Sequence, residues 1–355
     1  MEILWINLIV VYFSSYFGRY FAAPLDIKIP YVKPNKLLIF ISGTSLVFVS
    51  GLRNNIGDTF FYMYSYKINE YTLQTIKYKG DFGFNVLQAL LQRISHDPQI
   101  LIFTVALITN MLIVLVLYKY SRMVELSLFT YIAAGMYTVS MNGIRQYLAA
   151  AIIFAATRYI LNGNWKLFLI VVLLGSTIHQ TALIFIPIYF IVRREAWSKV
   201  TFALLGVAVL LAAGFNQFSD LLFNALDDTQ YGHYSNFSEG GASMMRVAVT
   251  GAPLIVAFFG RNKLRELWPK SDYIVNLTLL GLVFMVISSQ NWIFARFNIY
   301  FGLYSLILIS WIIKLFSKRD RRFIYYGLLC CYLIYFYYEN VLSLNIIYKS
   351  DYINL

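Results

Sequence analysis

Charge is scarce in this sequence: 13% of its 355 residues are Asp, Glu, Lys or Arg, about half of the roughly 25% usual in soluble domains. Apolar side chains fill the gap at 59%, with aromatics at 18%, and that balance excludes an ordinary water-soluble globule. Cysteine is nearly absent. Cys330 and Cys331 are adjacent inside an apolar run, so neither a disulfide framework nor a thiolate metal site has the spacing it needs. Carboxylates of the kind a divalent ion would want are not clustered, and no metal or other cofactor is expected. No polar stretch is long enough for a separate soluble domain, so residues 1–355 are read as a single transmembrane domain.

What is present is a repeating alternation of apolar runs and short polar breaks. Candidate spans fall at about 3–21, 36–51, 99–117, 126–141, 145–161, 166–192, 200–218, 245–260, 273–289, 297–314 and 323–338, lengths that suit membrane helices of about 17 to 25 residues. The first run has no basic leader or small-residue cleavage site and reads as an uncleaved helix. The net charge of +12 does not point to nucleic acid, because the bases sit in short loops, the pattern of cytoplasmic retention. One run is oversized: 166–192 has about 27 residues, roughly 40 Å of helix against a hydrocarbon core of about 30 Å. Its centre holds Gly175, Ser176, Thr177, His179 and Gln180.

Charge decides how that run is treated. Placing Arg158 and Lys166, Arg193, Arg194 and Lys199, and the basic blocks 261–270 and 318–322 all on the cytoplasmic side requires both ends of 166–192 to lie inside. The run is then a hairpin of two short helices turning at 176–180, with His179 on the outer face. The expected fold is all-α and polytopic, with about twelve transmembrane helices and both termini outside. This arrangement puts 20 of the 29 Lys and Arg inside and 11 of the 17 acids outside. Two external segments follow. Residues 52–98 are expected to hold interfacial helices, one with an apolar stripe of Phe84, Leu87, Leu91 and Ile94 beside Gln88, Gln92 and Arg93. Residues 219–245, with Asp227, Asp228, Glu239 and His233, form a loop or lid, and Gly240 and Gly241 are a candidate hinge.

The polar groups on the outer side form the candidate site. Arg53 and Asp58 follow the second span and either pair with each other or face a ligand. Arg145 and Arg296 each begin a span on the side that retention disfavours, so each anchors a helix start or binds an anion. His179 is either a packing residue or, with a pKa near neutrality, a proton acceptor. Three guanidiniums on one face suit a phosphate or pyrophosphate, which arginine binds bidentately. The aromatics after Asp58, Tyr62 among them, offer flat faces for sugar rings or form an ordinary interfacial belt.

Five segments, GLRNNIGDTFFYMYSY, GDFGFNVLQALLQRIS, NGIRQYLAAAIIFAATRYI, STIHQTALIFIPIYF and ARFNIYFGLYSLILI, resemble in that order segments of the EpsG family of bacterial exopolysaccharide polymerases, similar to the Wzy class. The resemblance implies a metal-independent glycosyltransferase that joins undecaprenyl-pyrophosphate-linked oligosaccharide repeats on the outer face of the bacterial cytoplasmic membrane. It adds Gln146 and Asp81 as glycan-binding positions beside Tyr62. Arg145, Arg296 and Arg53 then hold the pyrophosphate, and His179 or Asp58 serves as the base. Expected partners are the lipid-linked substrate, membrane lipids, a chain-length regulator and glycosyltransferases. Two rivals are a polysaccharide flippase, which calls for internal repeats and midplane charges, and a membrane-bound O-acyltransferase, which would draw its donor from the cytoplasm.

Overall fold

The computed structural model describes residues 1–24, 32–72, 74, 76, 78–215 and 240–353. The candidate lid residues Asp227, Asp228, His233 and Glu239 lie outside the described residues. The described chain is helical apart from a two-stranded ribbon pairing Ala23–Pro24 with Val32–Lys33. Helices α1 (Glu2–Tyr20), α2 (Lys36–Gly51), α3 (Thr59–Ile68), α4 (Phe82–Gln92) and α5 (Gln99–Tyr120) come first. Next are α6 (Val124–Ala133), α7 (Met136–Asn142), α8 (Ile144–Ala155), α9 (Thr157–Asn162), α10 (Trp165–Ile178) and α11 (Phe185–Val192). The remainder are α12 (Lys199–Ala213), α13 (Met244–Phe259), α14 (Arg261–Leu267), α15 (Ser271–Ser288), α16 (Ala295–Ile312) and α17 (Arg321–Tyr337).

Helices dominate because a backbone in lipid must satisfy its hydrogen bonds internally, and side chains mark where several of them begin. Asn35 accepts from the Leu37 and Leu38 amides, Asn164 from Leu167 and Ser243 from Arg246, each occupying an otherwise orphaned donor of the first turn. Among the described residues four helical stretches are by themselves long and apolar enough to cross a bilayer: Gln99–Tyr120, Ile144–Asn162, Ser271–Ser288 and Trp292–Leu315. A fifth is formed if α13 and α14, bent by 82° at Gly260, count as one. This is a polytopic membrane protein, but helix length supports fewer than the twelve expected crossings. Several expected spans form shorter apolar helices, Lys36–Gly51 and Lys199–Ala213 among them, and 126–141 is divided between α6 and α7 at Gly135, whose φ is +80°.

The oversized run does fold back. Arg193, just past α11, donates to the carbonyl of Ile160, and Phe168 near the start of α10 stacks 5.2 Å from Tyr189 near the end of α11. Both ends of 166–192 therefore meet, as the charge argument required, and the turn between them carries His179. Helices α15 and α16 form the most extensive pairing, with Gly281 facing Asn298 and Phe301; small residues let membrane helices approach closely. Phe284 stacks on Phe301 at 5.5 Å, and Phe301 on Phe185 at 5.0 Å, which carries this packing into the fold-back.

Three sequence expectations change here. The apolar stripe of α4 does not lie in lipid: Phe84 and Leu91 are buried against Leu101, Ile102, Val105, Ile144 and Leu148, while Ile94 lies past the helix end and is exposed. Gln92, expected on the polar face, is buried and binds the Tyr66 and Asn69 carbonyls and the Tyr71 amide, tying α3 to α4. Gly240 and Gly241 do not form a free hinge either. The Ala242 amide donates to Ser288 O and the Trp292 amide to Gly240 O, and a Cβ on Gly241 would fall 1.7 Å from Ser289 O.

Arg53 is the largest correction. It neither pairs with Asp58 nor faces a headgroup; at 1% exposure it donates to Thr59 Oγ1, Ser50 O and Met141 O. The C-terminal segment covers the loop around it, with Tyr348 OH donating to Val49 O and Ser350 Oγ to Leu52 O. Arg53 thus closes the end of α2 onto the end of α7. Replacing it by Met leaves those carbonyls unpaired and is expected to cost roughly 2–4 kcal/mol, read as a lower melting temperature in detergent. An unchanged melting temperature would refute the structural role.

Candidate functional site

The site is assembled where the fold-back turn meets the loop before α4 and the start of α8. Asp81 immediately precedes α4, and its carboxylate is divided between two partners: Oδ1 accepts from the Gln180 amide at 2.9 Å and Oδ2 meets Arg145 Nη1 at 3.2 Å. Gly83 permits this contact, since a Cβ there would fall 2.3 Å from Thr177 Oγ1. Arg145 also donates through Nε to Tyr62 OH at 3.3 Å and lies over the Tyr62 and Phe84 rings. Its side chain remains 38% exposed, so the guanidinium is anchored but accessible.

One step deeper, His179 is 3% exposed. Its Nδ1 is 2.6 Å from Thr181 Oγ1 and 3.3 Å from Tyr300 OH, and those two hydroxyls are 3.0 Å apart. Tyr300 lies one turn after Arg296 on α16, which brings the second cation to the same end of the bundle. Gln146, adjacent to Arg145, donates to Arg296 O at 2.8 Å, and the Arg296 guanidinium lies 5.1 Å from the Trp292 ring centroid. Asp58 immediately precedes α3 without a side-chain capping bond, and its amide donates to Asn142 Oδ1 at 2.9 Å, beside the residues that open α8.

Two protonation states follow from these surroundings. Burial pushes the Asp81 carboxyl up from its ordinary value, partly offset by the Gln180 amide and Arg145. His179, in the turn between helices, is pushed down to about 3, first by burial and then by Arg145 and Arg296. The imidazole is therefore held neutral and hydrogen-bonded, below the near-neutral pKa expected from sequence. Both cations act on this one ring, which places Arg145 and Arg296 within electrostatic reach of a common point.

A cavity of about 270 Å³ opens beside this cluster. Its lining includes Asn142, Gln146, Trp292 and Arg296 together with Arg246 and Glu339. Arg246 Nε donates to Glu339 Oε1 at 2.8 Å, and Tyr335 OH to Glu339 Oε2 at 3.3 Å. This pair was not among the sequence candidates, although an ionisable residue inside an apolar run is a functional signal by default. Of the expected site residues, the structure gathers Asp81, Tyr62, Arg145, Gln146, His179 and Arg296, places Asp58 at the margin and withdraws Arg53. Among the described residues no three His, Cys, Asp or Glu side chains come together as a metal would require.

Fold and site together define a polytopic helical membrane protein in which cations, aromatics and a cavity come together. The sequence model of the EpsG family, a Wzy-like polymerase family, matches residues 36–352, and the chain belongs to that family. No curated protein and no solved structure matches it.

The folded state binds fewer protons at His179 than the unfolded chain, whose imidazole titrates near 6.5. That contribution to stability is complete above pH 6.5 and is lost as pH falls from there toward 3. The melting temperature in detergent should therefore drop across this window, and His179→Phe should flatten the drop. An equally steep drop in that variant would remove His179 as the cause.

Proposed function

We propose that this protein is an exopolysaccharide polymerase that joins lipid-diphosphate-linked oligosaccharide repeats at the outer face of the cytoplasmic membrane. Family membership supports the reaction class, and the observation that carries the site assignment is the Asp81 carboxylate joining Arg145 to the His179 turn, while Gln146 beside Arg145 holds the backbone of Arg296. In this reading the diphosphate of an undecaprenyl-linked glycan lies between the two guanidiniums. Arginine suits the role because it stays charged and presents a planar fork to phosphate oxygens.

The hydroxyl of a second lipid-linked unit attacks the anomeric carbon, and the bond to the diphosphate breaks with its electron pair leaving on oxygen. Arg145 and Arg296 offset the negative charge that grows there, the electrostatic contribution that is usually largest in such chemistry. Asp81 is a positioning residue: it holds Arg145 and the Gln180 amide at once, so it sets one cation relative to the His179 turn. His179 keeps Thr181 and Tyr300 in register, and Gln146 fixes the backbone that bears Arg296. Tyr62 and Trp292 give the sugars flat faces, each already beside one of the two cations. Asp58 stays at the rim, where the glycan enters.

Removing one preorganised charge stabiliser typically costs about 100- to 1,000-fold in rate. Arg145→Ala and Arg296→Ala are each expected to lower exported polymer by that order while membrane abundance holds, with single lipid-linked repeats accumulating in lipid extracts. Normal polymer from both variants would end this reading. Polymerisation in membranes should also continue in excess chelator; loss of activity restored by magnesium would assign the charge stabilisation to a metal instead.

A further inference from the structure

The reaction proposed above needs two sugars, and the cluster around Arg145 accounts for only one. The neighbouring cavity carries a different chemistry. Its lining holds a carboxylate, Glu339, that is 4% exposed. Arg246 Nε and Nη2 both meet its Oε1, and Tyr335 OH donates to Oε2. A carboxylate has about four acceptor sites, so Oε2 retains capacity for a hydroxyl proton. The lining also holds Arg296 and Trp292, and the cavity volume of about 270 Å³ lies just below the roughly 300–1,000 Å³ of drug-sized sites. It suits one sugar ring rather than a whole repeat unit.

An ion pair with a buried carboxylate is an expensive way to join two helices, and apolar residues of similar volume often do so at least as well. Here Glu339 is buried while the Arg246 side chain is 34% exposed; the pair lies between the first turn of α13 and the π-helical turn that follows α17, and both residues line the cavity. We infer that this cavity is the subsite for the terminal sugar of the acceptor and that Glu339 is the catalytic base, an assignment that rests on the polymerase reading. The acceptor O–H bond breaks with its proton passing to a Glu339 oxygen. The oxygen forms the new bond to the anomeric carbon, and the diphosphate leaves toward Arg296 with the electron pair of the broken bond. Arg246 is a positioning residue that fixes the carboxylate and keeps it a hydrogen-bond acceptor. Trp292 separates the two sugar positions and stacks beneath Arg296.

The test is carried out on the full chain, supplied as the cell's only copy and also reconstituted in vesicles with lipid-linked repeats extracted from cells that lack polymerase. Glu339→Gln keeps the shape and removes the proton acceptor. Polymer is expected to fall at least 100-fold with abundance and melting temperature retained, and formate is expected to restore part of the rate to Glu339→Ala. Near-normal polymer from Glu339→Gln would overturn the assignment. So would a Glu339→Gln variant of low abundance whose polymer and abundance are both recovered by the swap Arg246→Glu with Glu339→Arg, because only a structural clasp tolerates exchange of its ends. Arg145→Ala and Arg296→Ala are run in parallel. If they abolish polymer and Glu339→Gln does not, the subsite falls and the polymerase reading stands; normal polymer from the two arginine variants removes both.

Discussion

The site depends on one carboxylate satisfying two partners that come from distant parts of the chain. Asp81 receives the Gln180 amide and the Arg145 guanidinium, and so connects the loop before α4, the fold-back turn and the start of α8. The Gln180 amide opens a short 3-10 turn in the middle of an apolar run, and a donor there has no partner from its own helix. Asp81 supplies one. The same carboxylate anchors Arg145 while leaving its outer edge exposed. Losing Asp81 therefore disturbs both the turn that holds His179 and a cation that acts on it.

The electrostatics follow from that geometry. Arg145 and Arg296 repel each other, and a protonated His179 between them would add a third positive charge in a buried place. Burial and the two cations together hold the ring neutral, which keeps the positive charge on the two groups able to meet an anion. Two carboxylates are committed to neighbouring cations: Asp81 to Arg145, and Glu339 to Arg246. In the proposed reaction the exposed edge of Arg145 is left to offset the charge that grows on the diphosphate as its bond to the sugar breaks.

Much of this was legible in the sequence because a bilayer leaves few options. Charge asymmetry alone predicted that 166–192 folds back with His179 at its turn, since the positive-inside bias counts residues and needs no packing information. Arg145 and Arg296 stood out as cations at helix starts on the disfavoured side. Arg53 looked the same by that criterion, yet its role depends on Met141 O, 88 positions away, and on a C-terminal segment that covers its loop. The stripe on α4 had the right period, but periodicity reports that a face is buried, not whether lipid or protein buries it. Arg246 and Glu339 lie 93 positions apart in separate apolar runs, and nothing local to either one names the other.

The Arg145 cluster and the neighbouring cavity also bear on a problem of the proposed mechanism. A polymerase must hold two lipid-linked chains of similar chemistry without exchanging their roles, so its subsites must differ in what they reward. In the proposed reaction the region near Arg145 takes the anion, since it presents a guanidinium that Asp81 anchors yet leaves 38% exposed. The cavity beyond Gln146 rewards a neutral hydroxylated ring, because its carboxylate repels phosphate while accepting hydroxyl protons, and Arg246 is already occupied. Gln146 stands where the two meet, lining the cavity while donating to the backbone of Arg296, the one cation common to both. In the proposed reaction, like-charge repulsion at the Glu339 carboxylate and the guanidinium charge of Arg145 give each substrate end its own favourable position, which is how specificity arises from penalties as well as contacts.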